Sequence, residues 1–328
     1  MWLDSERQEW SNNQMMKSAV VMSLVILALG LGALSFVIQQ RIGEQEVHLA
    51  KIEQTLSQLP DQVTVPVYTG SVLDASKLST ISATSIFVED SETGTTLFQL
   101  QGDEKRYPAS TAKMMTALVA RKIYDLDTPL TVREEAFADG SSTGFAIGEQ
   151  LKVRDLLAVL LIHSGNDAAF VLANNAPGGY PRFVELMNLE AKRIGMKNTS
   201  FKNASGLDDA EQQSTAADLA LLARQLLEDP LLAQLVRTKY QTVSDTSGKL
   251  THSLVNRNEL LGMKPGVIGV KTGTTNSAGE NLVIAEEHDG RRKIIVMLGS
   301  KQRYPEMLQL LAWLNSNYVW QVEKAPIK

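Results

Sequence analysis

The sequence contains no cysteine. Disulfides and cysteine-ligated metal sites are therefore excluded, although the compartment is left open. Histidine is scarce. His48, His163, His252 and His288 are scattered, and none falls in an H-E-x-x-H spacing, so zinc hydrolysis is not indicated. There is no basic surplus: 32 Lys and Arg stand against 37 Asp and Glu, a net charge of -5, and nothing points to nucleic acid. Internal repeats and low-complexity tracts are also missing. What is present is an ordinary globular balance, 44% hydrophobic and 21% charged over 328 residues, enough for a sizeable core.

One long uncharged run stands out. Residues 18–38, SAVVMSLVILALGLGALSFVI, have the length a bilayer-spanning helix needs. Lys17 before it and Arg41 after it leave the flanking charge nearly balanced. An uncleaved signal anchor and a signal peptide cut near GALS are the two readings. The length of the run and the leader's Asp4, Glu6 and Glu9 favour the anchor. Residues 39–60 then carry Ile42, Leu49 and Leu56 at seven-residue intervals, with Ile52 and Leu59 interleaved. This suits a lone amphipathic juxtamembrane helix or a homodimerising stalk through 42–59. Residues 61–80 read as a linker: Pro60 ends the heptad pattern before it, and Pro66 stands in it among many Ser and Thr.

From residue 81 the texture is globular. Residues 84–100 predict a β-hairpin around Ser-Glu-Thr-Gly. Residues 110–126 predict a helix with Met114, Leu118, Val119 and Ile123 on its core face. Residues 152–175 predict two helices broken at Ser-Gly-Asn. Helices follow over 181–194 and 215–238. The strands GVIGVKTGTT, ENLVIAEE and KIIVMLGS come next, the last two joined through Asp289-Gly290, and a closing helix spans 304–320. Strands at both ends and helices between them predict an α+β domain over 81–323. In it the early hairpin joins the late strands in one antiparallel sheet.

Three short motifs could carry chemistry. In PASTAKMMTA, Ser110 and Lys113 share a helix face, about 5–6 Å apart at Cβ. A serine hydroxyl needs a base, and lysine serves only if its pKa falls well below about 10.4. Burial or a second cation does this, and Lys271 is a candidate for that cation. Taken alone, the pair reads better as a helix cap beside a solvated charge. In HSGNDAA, Ser164 and Asn166 could relay a proton and grip an amide, or Asn166 and Asp167 could simply cap a helix. In VKTGTT, Lys271 supplies charge, Thr272 and Thr274 supply hydroxyls, and Gly273 allows close approach to a strand edge. Each motif is weak alone. Their order, at separations of about 50 and 100 residues, reverses the weighting.

S-x-x-K, S-x-N and K-T-G in this order resemble the serine D-alanyl-D-alanine carboxypeptidases, the low-molecular-mass penicillin-binding proteins of peptidase family S11. The blocks YPASTAKMMTALVA, FAIGEQLKVRDLLAVLLIHSGNDAA, FVELMNLEAKRIGMKNTSFKNASGLDD and GVKTGTTNSAGENLVIA extend the likeness over residues 81 to about 320. S-G-N is this family's usual middle motif. No E-x-x-L-N of the β-lactamase kind is present; Met187-Asn188 resembles the peptidase version.

The resemblance implies a β-lactamase/transpeptidase-like fold: an antiparallel sheet flanked by helices, a mainly helical second lobe, and one N-terminal transmembrane helix ahead of them. It implies Ser110 as nucleophile, Lys113 as its base, Ser164 as proton relay and Asn166 as holder of the peptide amide. Lys271 would supply positive field, Thr272 and Thr274 would bind the terminal carboxylate along the strand of Gly273, and the N–H groups of Ser110 and Thr274 would form the oxyanion hole. It implies a peptidoglycan stem pentapeptide as substrate, β-lactams as covalent inhibitors, and no metal or organic cofactor. A DD-endopeptidase, a β-lactamase and a non-catalytic peptidoglycan-binding scaffold are the alternatives. Thr274 departs from the histidine some members carry there. Many members continue into a small β domain with a C-terminal anchor. Here the 18–38 run would anchor instead, with residues 1–17 cytoplasmic and the catalytic domain extracytoplasmic.

Overall fold

The computed structural model describes Met22 and residues 34–51, 62–70, 78–134 and 140–324. The chain divides into two compact units, residues 1–64 with 322–328, and residues 65–321. In the first, residues 34–51 are helical, and Phe36, Ile38, Ile42 and Leu49 are exposed. The expected span 18–38 lies outside the described residues except for Met22 and 34–38. No described helix is long and apolar enough to cross a membrane.

In chain order the elements begin with β1 (Gln62–Tyr68), β2 (Ser85–Asp90), β3 (Thr96–Leu100), α1 (Lys113–Ile123), β4 (Pro129–Thr131) and β5 (Gln150–Lys152). They continue with α2 (Val153–Ala158), α3 (Asn166–Asn174), α4 (Gly179–Ile194), α5 (Ala216–Glu228), α6 (Pro230–Arg237), β6 (Tyr240–Ser244) and β7 (Thr251–Val255). The last are β8 (Val267–Thr275), β9 (Gly279–His288), β10 (Arg291–Ser300), α7 (Arg303–Asn317) and β11 (Tyr318–Lys324).

The main sheet runs β3-β2-β10-β9-β8, all antiparallel. The early hairpin thus joins the three late strands, as the element order predicts. Both faces of this sheet are covered, which explains the unbroken apolar run IIVML in β10. Side chains alternate across a strand. Val283, Ala285, Ile294, Val296 and Leu298 face one core with α1, α5 and α6. Leu282, Ile284, Ile295 and Met297 face a second core with Met307, Leu310, Leu311 and Leu314 of α7. Short hairpins β4–β5 and β6–β7, and the pair β1–β11, complete the strands described.

Three expectations need correction. The helix expected over 110–126 opens as a 3₁₀ turn, Ala109–Ala112, and becomes α-helical only from Lys113. The helical stretch 215–238 is two helices. Pro230 has no N–H to continue the first, and the Asp229 carboxylate accepts from Leu231 and Leu232 to start the second. The closing helix stops at Asn317. Tyr318, Val319, Trp320 and Val322, aromatic and β-branched, continue instead as strand β11.

Candidate active site

The Ser110 turn is wedged between two glycines. Ala109 is held at φ +49°, a conformation costly for a residue with a Cβ. A Cβ on Gly206 would stand 1.9 Å from the Ala109 carbonyl oxygen. On the other side, a Cβ on Gly273 would stand 2.9 Å from the Ser110 nitrogen and 3.1 Å from that of Thr111. Only glycine lets strand β8 lie this close to the turn. Asn281, opposite Gly273 in β9, is fully buried and donates to the carbonyls of Tyr107 and Pro108. The turn is thereby tied to the sheet.

Ser110 is not a helix cap; neither Pro108 nor Ala112, at the cap positions, makes a side-chain cap bond. Its Oγ lies 2.7 Å from Nζ of Lys113. Lys113 is wholly buried, and Nζ also donates to Asn166 Oδ1 and to the Ser205 carbonyl, both at 2.6 Å. A neutral amine has two N–H groups and one lone pair. Two carbonyl-type acceptors take the N–H groups, which leaves the lone pair for the Ser110 hydroxyl proton. Burial lowers the Lys113 pKa to about 7, against a smaller upward pull from Asp167. Desolvation is the leading cause that makes this lysine a base, and Lys113 and Lys271 also repel each other's charge.

The middle motif sits on a distorted helix end. Val159–His163 form a π-turn, and Ser164 follows at φ +65°. π-turns mark functional sites often. This one swings Ser164 off the helix axis, so that its Oγ meets Nζ of Lys271 at 2.7 Å. Asn166 opens α3 with its side chain on Lys113, so it does not cap the helix. Asp167 instead holds the neighbouring loop through Ser142 and Thr143.

Lys271 is as buried as Lys113 and donates also to the Thr272 carbonyl at 2.9 Å. Burial, followed by the charges of Lys113, Arg303 and Arg257, pushes its pKa well down. Ser110, Ser164, Thr272, Gly273 and Thr274 line one cleft of about 490 Å3. Lys113, Asn166 and Lys271 are buried and join the site through their bonds to Ser110, Lys113 and Ser164, so the eight residues singled out from the sequence form one connected site.

The same cleft has a wall that sequence reasoning missed: Arg257, Glu259, Arg303 and Tyr304. Arg303, at the start of α7, donates from Nη1 to the Gly273 carbonyl at 3.0 Å and to Thr274 Oγ1 at 2.8 Å. Two arginines beside Lys271 give this end a positive field suited to a carboxylate. Among the described residues, no cluster of three or more His, Asp or Glu is placed to hold a metal.

Two serine–lysine pairs meet at one cleft, and the chain that carries them matches a family model described as D-alanyl-D-alanine carboxypeptidase, peptidase S11, over residues 72–302. The chain belongs to this family. DacF of Bacillus subtilis, named a D-alanyl-D-alanine carboxypeptidase, is 33% identical over 245 residues, 72% of this chain and 63% of its own length. The chain spans less than two thirds of the first such relatives. A D-alanyl-D-alanine endopeptidase of Pseudomonas aeruginosa is 32% identical over 75% of this chain and 81% of its own. Among solved structures, the DD-transpeptidase of Streptomyces K15 superposes with a TM-score of 0.69 at 29% identity, covering 72% of this chain and 98% of that one. The family's penicillin-binding/transpeptidase fold, a sheet with helices on it, is the fold described above.

Proposed function

We propose that the chain is a serine D-alanyl-D-alanine carboxypeptidase that removes the terminal D-alanine from peptidoglycan stem peptides. One observation carries this: the buried Lys113, its two N–H groups taken by Asn166 and Ser205, sits 2.7 Å from the Ser110 hydroxyl. Ser110 Oγ attacks the carbonyl carbon of the penultimate D-alanine as its proton passes to Nζ of Lys113. The N–H groups of Ser110 and Thr274 stabilise the oxyanion, worth about 2.7–4 kcal/mol per donor in comparable sites. Ser164, against Lys271, passes its proton to the departing nitrogen and is reprotonated with the proton that Lys113 took up, which returns Lys113 to the neutral amine. The C–N bond breaks, D-alanine leaves and an ester to Ser110 remains. Water then attacks the ester and gives a proton to the neutral Lys113, which hands it to Ser110 Oγ as the ester bond breaks, so that the shortened peptide leaves and the serine is restored.

Asn166 holds the substrate amide. Lys271, Arg257, Arg303 and the hydroxyls of Thr272 and Thr274 hold the terminal carboxylate. A β-lactam acylates Ser110 in the same way, but its leaving nitrogen stays tethered in the cleft and obstructs water. The substrate lies outside the cytoplasmic membrane. That supports residues 18–38 as the anchor, with the catalytic domain on the outer side and residues 42–59 as a stalk.

The test is to incubate the full chain with a muramyl pentapeptide ending in D-Ala-D-Ala and follow its mass. Loss of one alanine, blocked by penicillin and absent in Ser110→Ala, is expected. Penicillin labelling that persists in Ser110→Ala would overturn the nucleophile assignment. Endopeptidase action on cross-linked stems is the second reading, favoured by the 81% coverage of the P. aeruginosa endopeptidase. Cleavage of cross-linked dimers without trimming of the pentapeptide would select it.

A further inference from the structure

His163 precedes the relay serine and has no part in the chemistry above. Its ring lies beside Arg257, a cleft residue that follows β7. Nη2 of Arg257 lies 3.1 Å from His163 Nε2, and its Nε donates to the His163 carbonyl at 3.3 Å. These are the two hydrogen bonds the Arg257 side chain makes among the described residues. The Arg257 backbone is pinned as well. Its N–H donates to the Ile162 carbonyl at 3.2 Å, and its carbonyl accepts from the Tyr304 hydroxyl at 2.7 Å.

A guanidinium only donates, so Nε2 must accept and the imidazole must be neutral, with its proton on Nδ1. The groups facing the ring agree. Burial and the Arg257 charge lower its pKa, and Lys271 of β8 adds to this. The Val255 backbone of β7 and Asp167 of α3 oppose it.

We propose that His163 is a positioning residue for substrate recognition: its neutral Nε2 and its carbonyl fix one edge of the Arg257 guanidinium, so that the other edge is presented to the substrate's terminal carboxylate. A free arginine on this rim would sample many rotamers and lose that freedom on binding; the histidine removes the loss in advance. The proposal rests on the carboxylate reading of the cleft given above.

The test uses the full chain and two probes, diacetyl-L-lysyl-D-alanyl-D-alanine and its C-terminal amide. The readout is the ratio of their kcat/KM values, which isolates the carboxylate from folding and from the serine chemistry. His163→Leu should lower the ratio about tenfold, the size of one hydrogen bond to a charged group. His163→Gln, whose side-chain oxygen can accept in place of Nε2, should restore most of it. Arg257→Ala should lower the ratio at least as far, and adding His163→Leu to it should change nothing more. If neither peptide is turned over, the same ratio is read from how well each protects Ser110 against penicillin labelling. A fall in Arg257→Ala with none in His163→Leu overturns the role of His163 and leaves the carboxylate reading standing. An unchanged ratio in both variants overturns the contact of Arg257 with the carboxylate, and the role of His163 with it.

Discussion

A lysine amine with no exposed surface, sharing its two N–H groups between Asn166 and Ser205, is a base only while it is unprotonated. With its pKa lowered to about 7, Lys113 gains a proton as pH falls through that value. Acylation by penicillin should therefore drop about tenfold per pH unit below about 7 and level off above it. Stopped-flow acylation rates from pH 5.5 to 9 check this, and a flat profile would rule out the amine as base. Folding is linked with the opposite sense to a salt-bridged lysine. Between about 7 and the ordinary value of 10.5, the unfolded chain binds the extra proton, so this group favours the fold more as pH rises through that window. The eight motif residues were legible because their spacing in sequence mirrors their roles. Arg257, Arg303 and His163 were not, since a lone cation in a polar stretch reads as a solvated charge until folding puts it beside a cleft. Desolvation of Lys113 was equally invisible, because spacing does not record burial.

At the scale of elements, periodicity exposed what is long and two-sided. Strands β8 to β10 and helices α1, α4, α5 and α7 all carry apolar faces several turns or pleats long. Hairpins β4–β5 and β6–β7 did not stand out. They are three to five residues per strand and mostly exposed, so alternation has no room to appear. The junction of α5 and α6 turns on one side chain. Asp229 caps α6 and also pairs with Arg121 of α1 at 3.0 Å. Asp229→Ala should lower stability by about 1–2 kcal/mol, mostly from the lost cap, in urea unfolding followed by circular dichroism. The acylation rate should hold, since Asp229 does not line the cleft. A loss below about 0.5 kcal/mol would mean that Pro230 alone fixes the break.

At the scale of the molecule, the sheet is assembled from both ends of the domain. Val296 of β10 pairs with Phe87 of β2, and Val283 of β9 pairs with Val296 in turn. Removing residues 266–328 deletes β8, β9 and β10, three of the five strands, and uncovers both cores. That fragment should show no cooperative unfolding transition; a sharp one would mean that the helical part is an independent folding unit. The division has a chemical corollary. Ser110 and Lys113 belong to the first portion of the domain to be synthesised, while Gly273, Thr274 and Lys271, which complete their surroundings, arrive some 160 residues later. A half-made molecule carries the nucleophile without the wall that makes it reactive. On the proposed function, such a fragment would neither trim peptidoglycan nor be acylated by penicillin, so a fluorescent penicillin band on a gel would be a census of finished molecules.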